Sequence, residues 1–243
     1  MTMDTYLKHL SESDAPAVCR SCEARHGGLC AVMTAAQLTE LSRHSIRRRI
    51  DAGNEVIGQG ETVGSYSNIL NGVIKLSKMM ADGRQQIVGL QFAPDFLGRP
   101  FLGESTITAE AATDTEICTF PRNVLDRMIG EAPDMERKLH SQSLKELDEA
   151  REWMLTLGRK TAQEKVANFL YLIATHIDPE QSKTQTFDLP LSRADIADFL
   201  GLTIETVSRQ MTKLRKDGII VIENNRHVIV PKLDRLRDAA GVD

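Results

Sequence analysis

No stretch of about 18 consecutive apolar residues occurs in the chain, so no segment is expected to span a membrane. The first ten residues include Asp4, Lys8 and His9 and lack the basic start and apolar core of a secretion signal, which points to the cytoplasm. Histidine is sparse, with six residues at His9, His26, His44, His140, His176 and His227. Only His44 falls near the region read below as a β-roll, which argues against a roll-type metalloenzyme, because that chemistry gathers several histidines in one cavity. No nucleophile–histidine motif is present, and Gly98 to Gly103 reads as a turn rather than a phosphate cradle. The chain is therefore not expected to be an enzyme. Positive charge is not in excess either: 30 Lys and Arg stand against 34 Asp and Glu, for a formal net charge of -4. That balance disfavours non-specific coating of nucleic acid but permits a reader with one locally basic face.

What is present separates into four regions. Residues 1–33 form a polar arm carrying cysteines. Residues 34–124 hold short alternating runs, such as Gly72-Val73-Ile74-Lys75-Leu76, broken by turn signals at Leu70-Asn71-Gly72 and Ala81-Asp82-Gly83. Several short strands at close spacing predict a β-roll of the jelly-roll kind. Residues 125–158 read as a long helix, ended by Gly158. Its Leu147, Ala150, Met154 and Leu157 recur at threes and fours, the seam of a coiled-coil homodimer. Residues 159–243 combine helices with two short strands. The fold class is thus α+β: an N-terminal β-roll, a long dimerisation helix and a C-terminal winged helix-turn-helix.

The stretch from Leu191 to Thr203 carries the strongest local signals. Ser192 followed by Asp195 is a helix start. Ile196, Phe199 and Leu200 make one apolar face, Gly201 is placed to stop the helix, and Thr203 can cap the next one. Two short helices around a tight turn form a helix-turn-helix. In the second helix Ile204, Val207, Met211 and Leu214 are expected to point inward. Glu205, Ser208, Arg209 and Thr212 are expected to point outward, with Lys213, Arg215 and Lys216 at its end. An arginine here can donate two hydrogen bonds to guanine, and a glutamate can accept from cytosine N4. Lys213 suits a phosphate, which fixes register without reading sequence. The runs 218–222 and 227–230 predict a β-hairpin wing.

Four cysteines complete the inventory: Cys19, Cys22, Cys30 and Cys118. A reducing cytosol makes structural disulfides improbable for them. Three clustered thiols and a fourth on the strand 116–120 suit a [4Fe–4S] cluster, which takes four cysteines. Zinc also takes four thiolates, and His26 could replace one of them, so spacing alone leaves both metals open. Cys118 by itself also fits a small buried hydrophobe.

The run Asp195-Ile196-Ala197-Asp198-Phe199-Leu200-Gly201-Leu202-Thr203-Ile204-Glu205-Thr206-Val207-Ser208-Arg209 resembles the signature of the CRP/FNR regulators, the FNR branch in particular. The resemblance covers essentially the whole chain. It implies that Glu205, Ser208 and Arg209 read TTGAT-type half-sites of an inverted repeat in double-stranded DNA, and that the protein contacts RNA polymerase, with loops 82–84 and 176–186 as candidate faces. Cys118-Thr119-Phe120-Pro121 matches the position of the family's roll cysteine. The resemblance therefore implies an oxygen-labile [4Fe–4S] cluster on Cys19, Cys22, Cys30 and Cys118 whose loaded form dimerises and binds DNA. Seven residues separate Cys22 from Cys30, where the best-known members have five; this longer interval is similar to FnrL-type variants. The alternative is a regulator of the same fold with a structural zinc site or another effector and no oxygen sensing. Cyclic-nucleotide-binding relatives carry an arginine–serine pair in the roll, whereas Glu104 to Ala109 contains no arginine, so no cyclic nucleotide is expected.

Overall fold

The computed structural model describes residues 15–177 and 184–242. The reading of residues 1–10, and most of the 176–186 loop, lie outside them. Contacts divide the chain into two compact units, residues 1–84 with 88–146, and residues 85–87 with 147–243.

The first unit opens with two single-turn helices, α1 (Ala17–Arg20) and α2 (Glu23–His26), and a 3-10 turn at Leu29–Val32. Helix α3 (Ala35–His44) follows, started by a capping box between Thr34 and Gln37. The roll region therefore begins with a helix, before strands β1 (Ile46–Ile50), β2 (Glu55–Ile57), β3 (Ser65–Asn71), β4 (Val73–Met79), β5 (Gln85–Phe92), β6 (Phe96–Leu97), β7 (Thr108–Ala111) and β8 (Thr115–Pro121). These form two four-stranded sheets, ordered β1-β8-β3-β6 and β2-β7-β4-β5. Strand alternation sends Ile69 and Ile117 into one hydrophobic cluster with Ile50, Ile74, Leu97 and Ala109. Tyr66 and Phe120, each an odd three positions from these along their strands, face the other side. There they join Leu29, Leu38 and Leu41 of the arm and α3, and Leu125, Met128 and Ile129 of the next helix. The rings of Tyr66 and Phe120 each approach Phe96, with centroids at 5.6 and 6.2 Å.

The helix read as 125–158 is two helices, α4 (Arg122–Glu131) and α5 (Pro133–Arg159). Pro133 has no amide hydrogen and its ring excludes the preceding helical turn, so a new helix starts there. Gly158 does not end α5; it lies one residue inside.

The second unit holds the C-terminal part of α5, α6 (Ala162–Ile177), β9 (Gln185–Asp188), α7 (Arg193–Leu200), α8 (Ile204–Lys216), β10 (Val221–Glu223), β11 (His227–Val230) and α9 (Leu233–Ala240). Its core includes Phe169, Leu170, Ile173, Phe199 and Leu236, all nearly inaccessible to solvent. Trp153 of α5 packs its ring 4.5 Å from that of Phe199. Asn168 donates a 3.1 Å hydrogen bond to the buried Thr156 hydroxyl. The hairpin β10–β11 forms as read, although its first strand begins at Val221. Asn224 and Asn225 both have positive φ in the three-residue turn 224–226, where the Arg226 amide donates back to the Glu223 carbonyl at 3.2 Å. Strand β9 adds a third strand beside β11.

Candidate nucleic-acid interface and cysteine site

The helix-turn-helix is assembled by local chemistry. The Ser192 hydroxyl accepts from the Asp195 amide at 3.1 Å, while the Asp195 carboxylate accepts from the Ser192 amide at 3.2 Å. Gly201 ends α7 with φ 60° and ψ 43°, a left-handed conformation that costs any residue with a β-carbon. The Thr203 side chain accepts from the Thr206 amide and starts α8.

Val207, Met211 and Leu214 of α8 are buried as expected, but Ile204 is not: it remains 48% exposed. It is the first residue of the helix, at the edge of the packed face. On the outer side Glu205, Ser208, Arg209 and Lys213 are exposed and Thr212 half-buried. The Arg209 guanidinium donates to the Thr206 hydroxyl at 3.3 Å, and the Thr212 hydroxyl donates to the Ser208 carbonyl at 2.9 Å. Glu205 sits in the first turn with its own backbone amide and the Thr203 hydroxyl donating to it, which holds its carboxyl below the usual range. It is thus an ionised acceptor at neutral pH. Behind α8, Arg193 donates to the Asn225 carbonyl at 3.2 Å, tying α7 to the wing turn.

On α5, Leu147, Met154 and Leu157 are exposed, Met154 by 73%, and Ala150 is exposed as well. Leu144, absent from the sequence reading of this seam, is also exposed.

All four cysteines line one recess in the first unit, about 550 Å³ including its open mouth. Cross-strand register explains how the distant one arrives. Cys118 in β8 pairs with Arg47 of β1 on one side and with Asn68 of β3 on the other. Directly paired residues share a sheet face, and all three line the recess. The other three cysteines come from the arm. Gly28 lets that arm approach closely: a β-carbon there would stand 2.8 Å from the Pro94 carbonyl oxygen and 2.9 Å from that of Ala24. Arg47 then holds the arm, donating to the Val18 carbonyl at 2.7 Å.

Three of the thiols, Cys19, Cys30 and Cys118, are in a setting that resists ionisation without a cation. Burial pushes Cys30 up to about 12, reinforced by the neighbouring Cys118, Cys22 and Cys19. Burial also raises Cys19, partly offset by Arg47 and Arg25, and raises Cys118. Among the described residues no three His, Cys, Asp or Glu side chains gather closely enough to grip a single ion. His26, weighed as a substitute ligand, is exposed and does not line the recess.

Sequence reading found the cysteines but not their surroundings. Arg25, Arg47 and Asn68 line the recess, and Asn68 donates to the Cys30 sulfur at 3.3 Å. Arg47 and Asn68 reach it through strand pairing across tens of residues, which no local pattern encodes. Arg99 of the roll is exposed and donates to the Thr106 hydroxyl at 3.2 Å.

Comparison with known proteins places this architecture. Residues 47–132 match the family described as cyclic nucleotide-binding domain, and residues 164–239 match the Crp-like helix-turn-helix domain. A probable transcriptional activator of Rhizobium leguminosarum bv. viciae is 65% identical over 96% of this chain and 98% of its own length. The transcriptional activator protein FnrL of Cereibacter sphaeroides is 42% identical over 93% of this chain and 92% of its own. The solved structure of FixK2 from Bradyrhizobium japonicum superposes with a TM-score of 0.72 at 32% identity, covering 80% of this chain and 96% of that one. The relatives are transcription regulators, not enzymes, and the chain belongs to the CRP/FNR family of transcriptional activators, on its FNR-like branch.

Proposed function

We propose that this activator senses oxygen through a [4Fe–4S] cluster held by Cys19, Cys22, Cys30 and Cys118. In this reading it works in the cytoplasm as a homodimer on TTGAT-type inverted repeats. The observation that carries the proposal is the convergence of all four thiols, from the arm and from β8, on one recess. Four cysteines are the ligand set a cubane cluster takes. When bound, the cluster supplies an iron–sulfur centre that is sensitive to dioxygen. Arg25 and Arg47 line the recess and offset the negative charge of its thiolates. Because burial keeps the metal-free Cys19, Cys30 and Cys118 thiols protonated, loading releases protons and tightens as pH rises.

Dimerisation runs along Leu147, Ala150, Met154 and Leu157, an apolar stripe that the monomer leaves exposed. Two recognition helices double the DNA contacts, so a modest shift in dimerisation becomes a large shift in operator occupancy. Within each half-site Arg209 donates to guanine, Glu205 accepts from cytosine N4, Ser208 contacts a base edge or phosphate, and Thr212 and Lys213 fix register. RNA polymerase is the further partner, with the Asp82–Arg84 turn as a candidate face. No cyclic nucleotide is assigned, since the roll lacks the arginine–serine pair.

The test is anaerobic purification, iron and acid-labile sulfide assay, and a visible spectrum before and after admitting air. About four irons per chain and a broad band that changes in air are expected. A colourless, zinc-loaded protein would overturn the sensor and leave the DNA reader standing.

A further inference from the structure

We propose that Asn68 is a positioning residue of the cysteine site, whose amide donates to the Cys30 sulfur and tunes how firmly the site holds its electrons and its iron. The inference rests on the cluster reading above and goes beyond it, because Asn68 is not a ligand.

Three observations carry it. Asn68 is only 1% exposed, in the middle of β3, where strand pairing to Cys118 and to Phe96 fixes its backbone on both sides. Its Nδ2 lies 3.3 Å from Cys30 Sγ, across 38 residues of sequence. Its Oδ1 is buried and has no hydrogen-bond partner among the described residues. Buried amides are as a rule satisfied at both ends. A half-satisfied amide beside Tyr66 and Phe120 is a worse core residue than leucine at the same place. Its presence there is accounted for by its bond to Cys30, a proposed ligand sulfur.

The chemistry follows from the donor. A thiolate is an acceptor, and an N–H aimed at it draws off negative charge and fixes the sulfur's direction. Hydrogen bonds to sulfur help set the potential of iron–sulfur sites, and partners of the ligands hold ligand geometry. Without the donor, the sulfur carries more charge, the potential becomes more negative, and Cys30 is less well oriented.

The experiment compares full-length wild type, Asn68→Leu and Asn68→Ala after anaerobic loading with iron and sulfide. Leucine keeps the volume and alanine empties it, but both remove the donor. Readouts are the midpoint potential in a dye-mediated titration, the anaerobic rate of iron transfer to a ferrous chelator, and the unfolding midpoint of the metal-free chain. Both variants are expected to shift the potential negative by similar amounts and to lose iron about ten-fold faster. A potential and transfer rate equal to wild type in Asn68→Leu would overturn the proposal. So would an effect confined to Asn68→Ala that tracks its unfolding midpoint, since that marks packing. Should Asn68→Ala fail to fold, Asn68→Leu decides alone. A wild type that takes up no iron and sulfide removes the cluster reading itself, before any variant is compared.

Discussion

The recognition helix α8 and the cysteine recess differ in how far apart along the chain their parts lie. Every candidate base-reading side chain of α8 falls between Glu205 and Lys213, on one face of one helix. The recess draws Cys19, Cys22 and Cys30 from the arm, Arg47 from β1, Asn68 from β3 and Cys118 from β8. A local site can lose one residue and keep the geometry of the rest. A site closed by long-range pairing depends on every part of the ring. The consequence is a difference in how the two fail: the first by increments, the second as a whole.

The sharpest way to break this comparison is Cys118→Ala. It removes the one ligand supplied by the roll, and iron content and anaerobic DNA binding should both be lost. The metal-free fold should change by only about 1 kcal/mol, because the substitution is small and the site half-buried. Metal analysis, a gel-shift assay and urea unfolding of the same sample check this. Retention of four irons would show that the ring is not closed by β8. Next in size is Met154→Lys on α5. Met154 is 73% exposed, so monomer stability should move by no more than about 0.5 kcal/mol. Dimerisation should weaken on the order of ten-fold or more, because a charge enters an apolar seam. Sedimentation of the loaded protein measures it, and an unchanged equilibrium would place the dimer contact elsewhere.

The same contrast governs what the sequence made legible. Ser192, Asp195, Gly201 and Thr203 act on residues within five positions of themselves, so their caps and turn could be read directly. Ile204 shows the limit of that approach: it fits the apolar period but occupies the first helical position, where the packed face has not yet begun. Gly158 was misjudged for another reason. A glycine inside a helix costs only ~1 kcal/mol relative to alanine, and α5 recovers more through Trp153 on Phe199 and the buried Thr156. The four cysteines were visible as residues, yet their convergence depends on the β1-β8-β3 register, which places Arg47, Cys118 and Asn68 in one row. Register is a property of paired strands, and no period within either strand encodes it. Strand β9 was missed likewise, as four residues whose role appears only beside β11.

On the local side, Arg209→Ala should cost ~1–3 kcal/mol per half-site and relax discrimination at the contacted guanine. Lys213→Ala should weaken all sequences about equally and lower the salt slope by about 1. Fluorescence anisotropy on operator and single-base variants across a salt series separates the two. If Arg209→Ala kept full discrimination, the outward face of α8 would be assigned to the wrong residues.

The smallest expected effect sharpens the comparison most finely. Ser192→Ala removes the cap of α7, where the hydroxyl accepts from the Asp195 amide and donates to the Asp195 carboxylate at 2.6 Å. A lost cap of this kind costs ~1 kcal/mol, and Ser192→Asn should recover most of it. The change lies on the helix that supports α8, not on the face that meets DNA. Affinity should therefore fall by less than about ten-fold and by the same factor on every operator variant, as a few more molecules have α7 frayed at any moment. Unfolding midpoints for serine, alanine and asparagine, set against binding to the operator and to a single-base variant, test both parts. A cap loss that changed sequence preference would mean that the angle of α8 is set by α7, and that base reading is less local than its residues suggest.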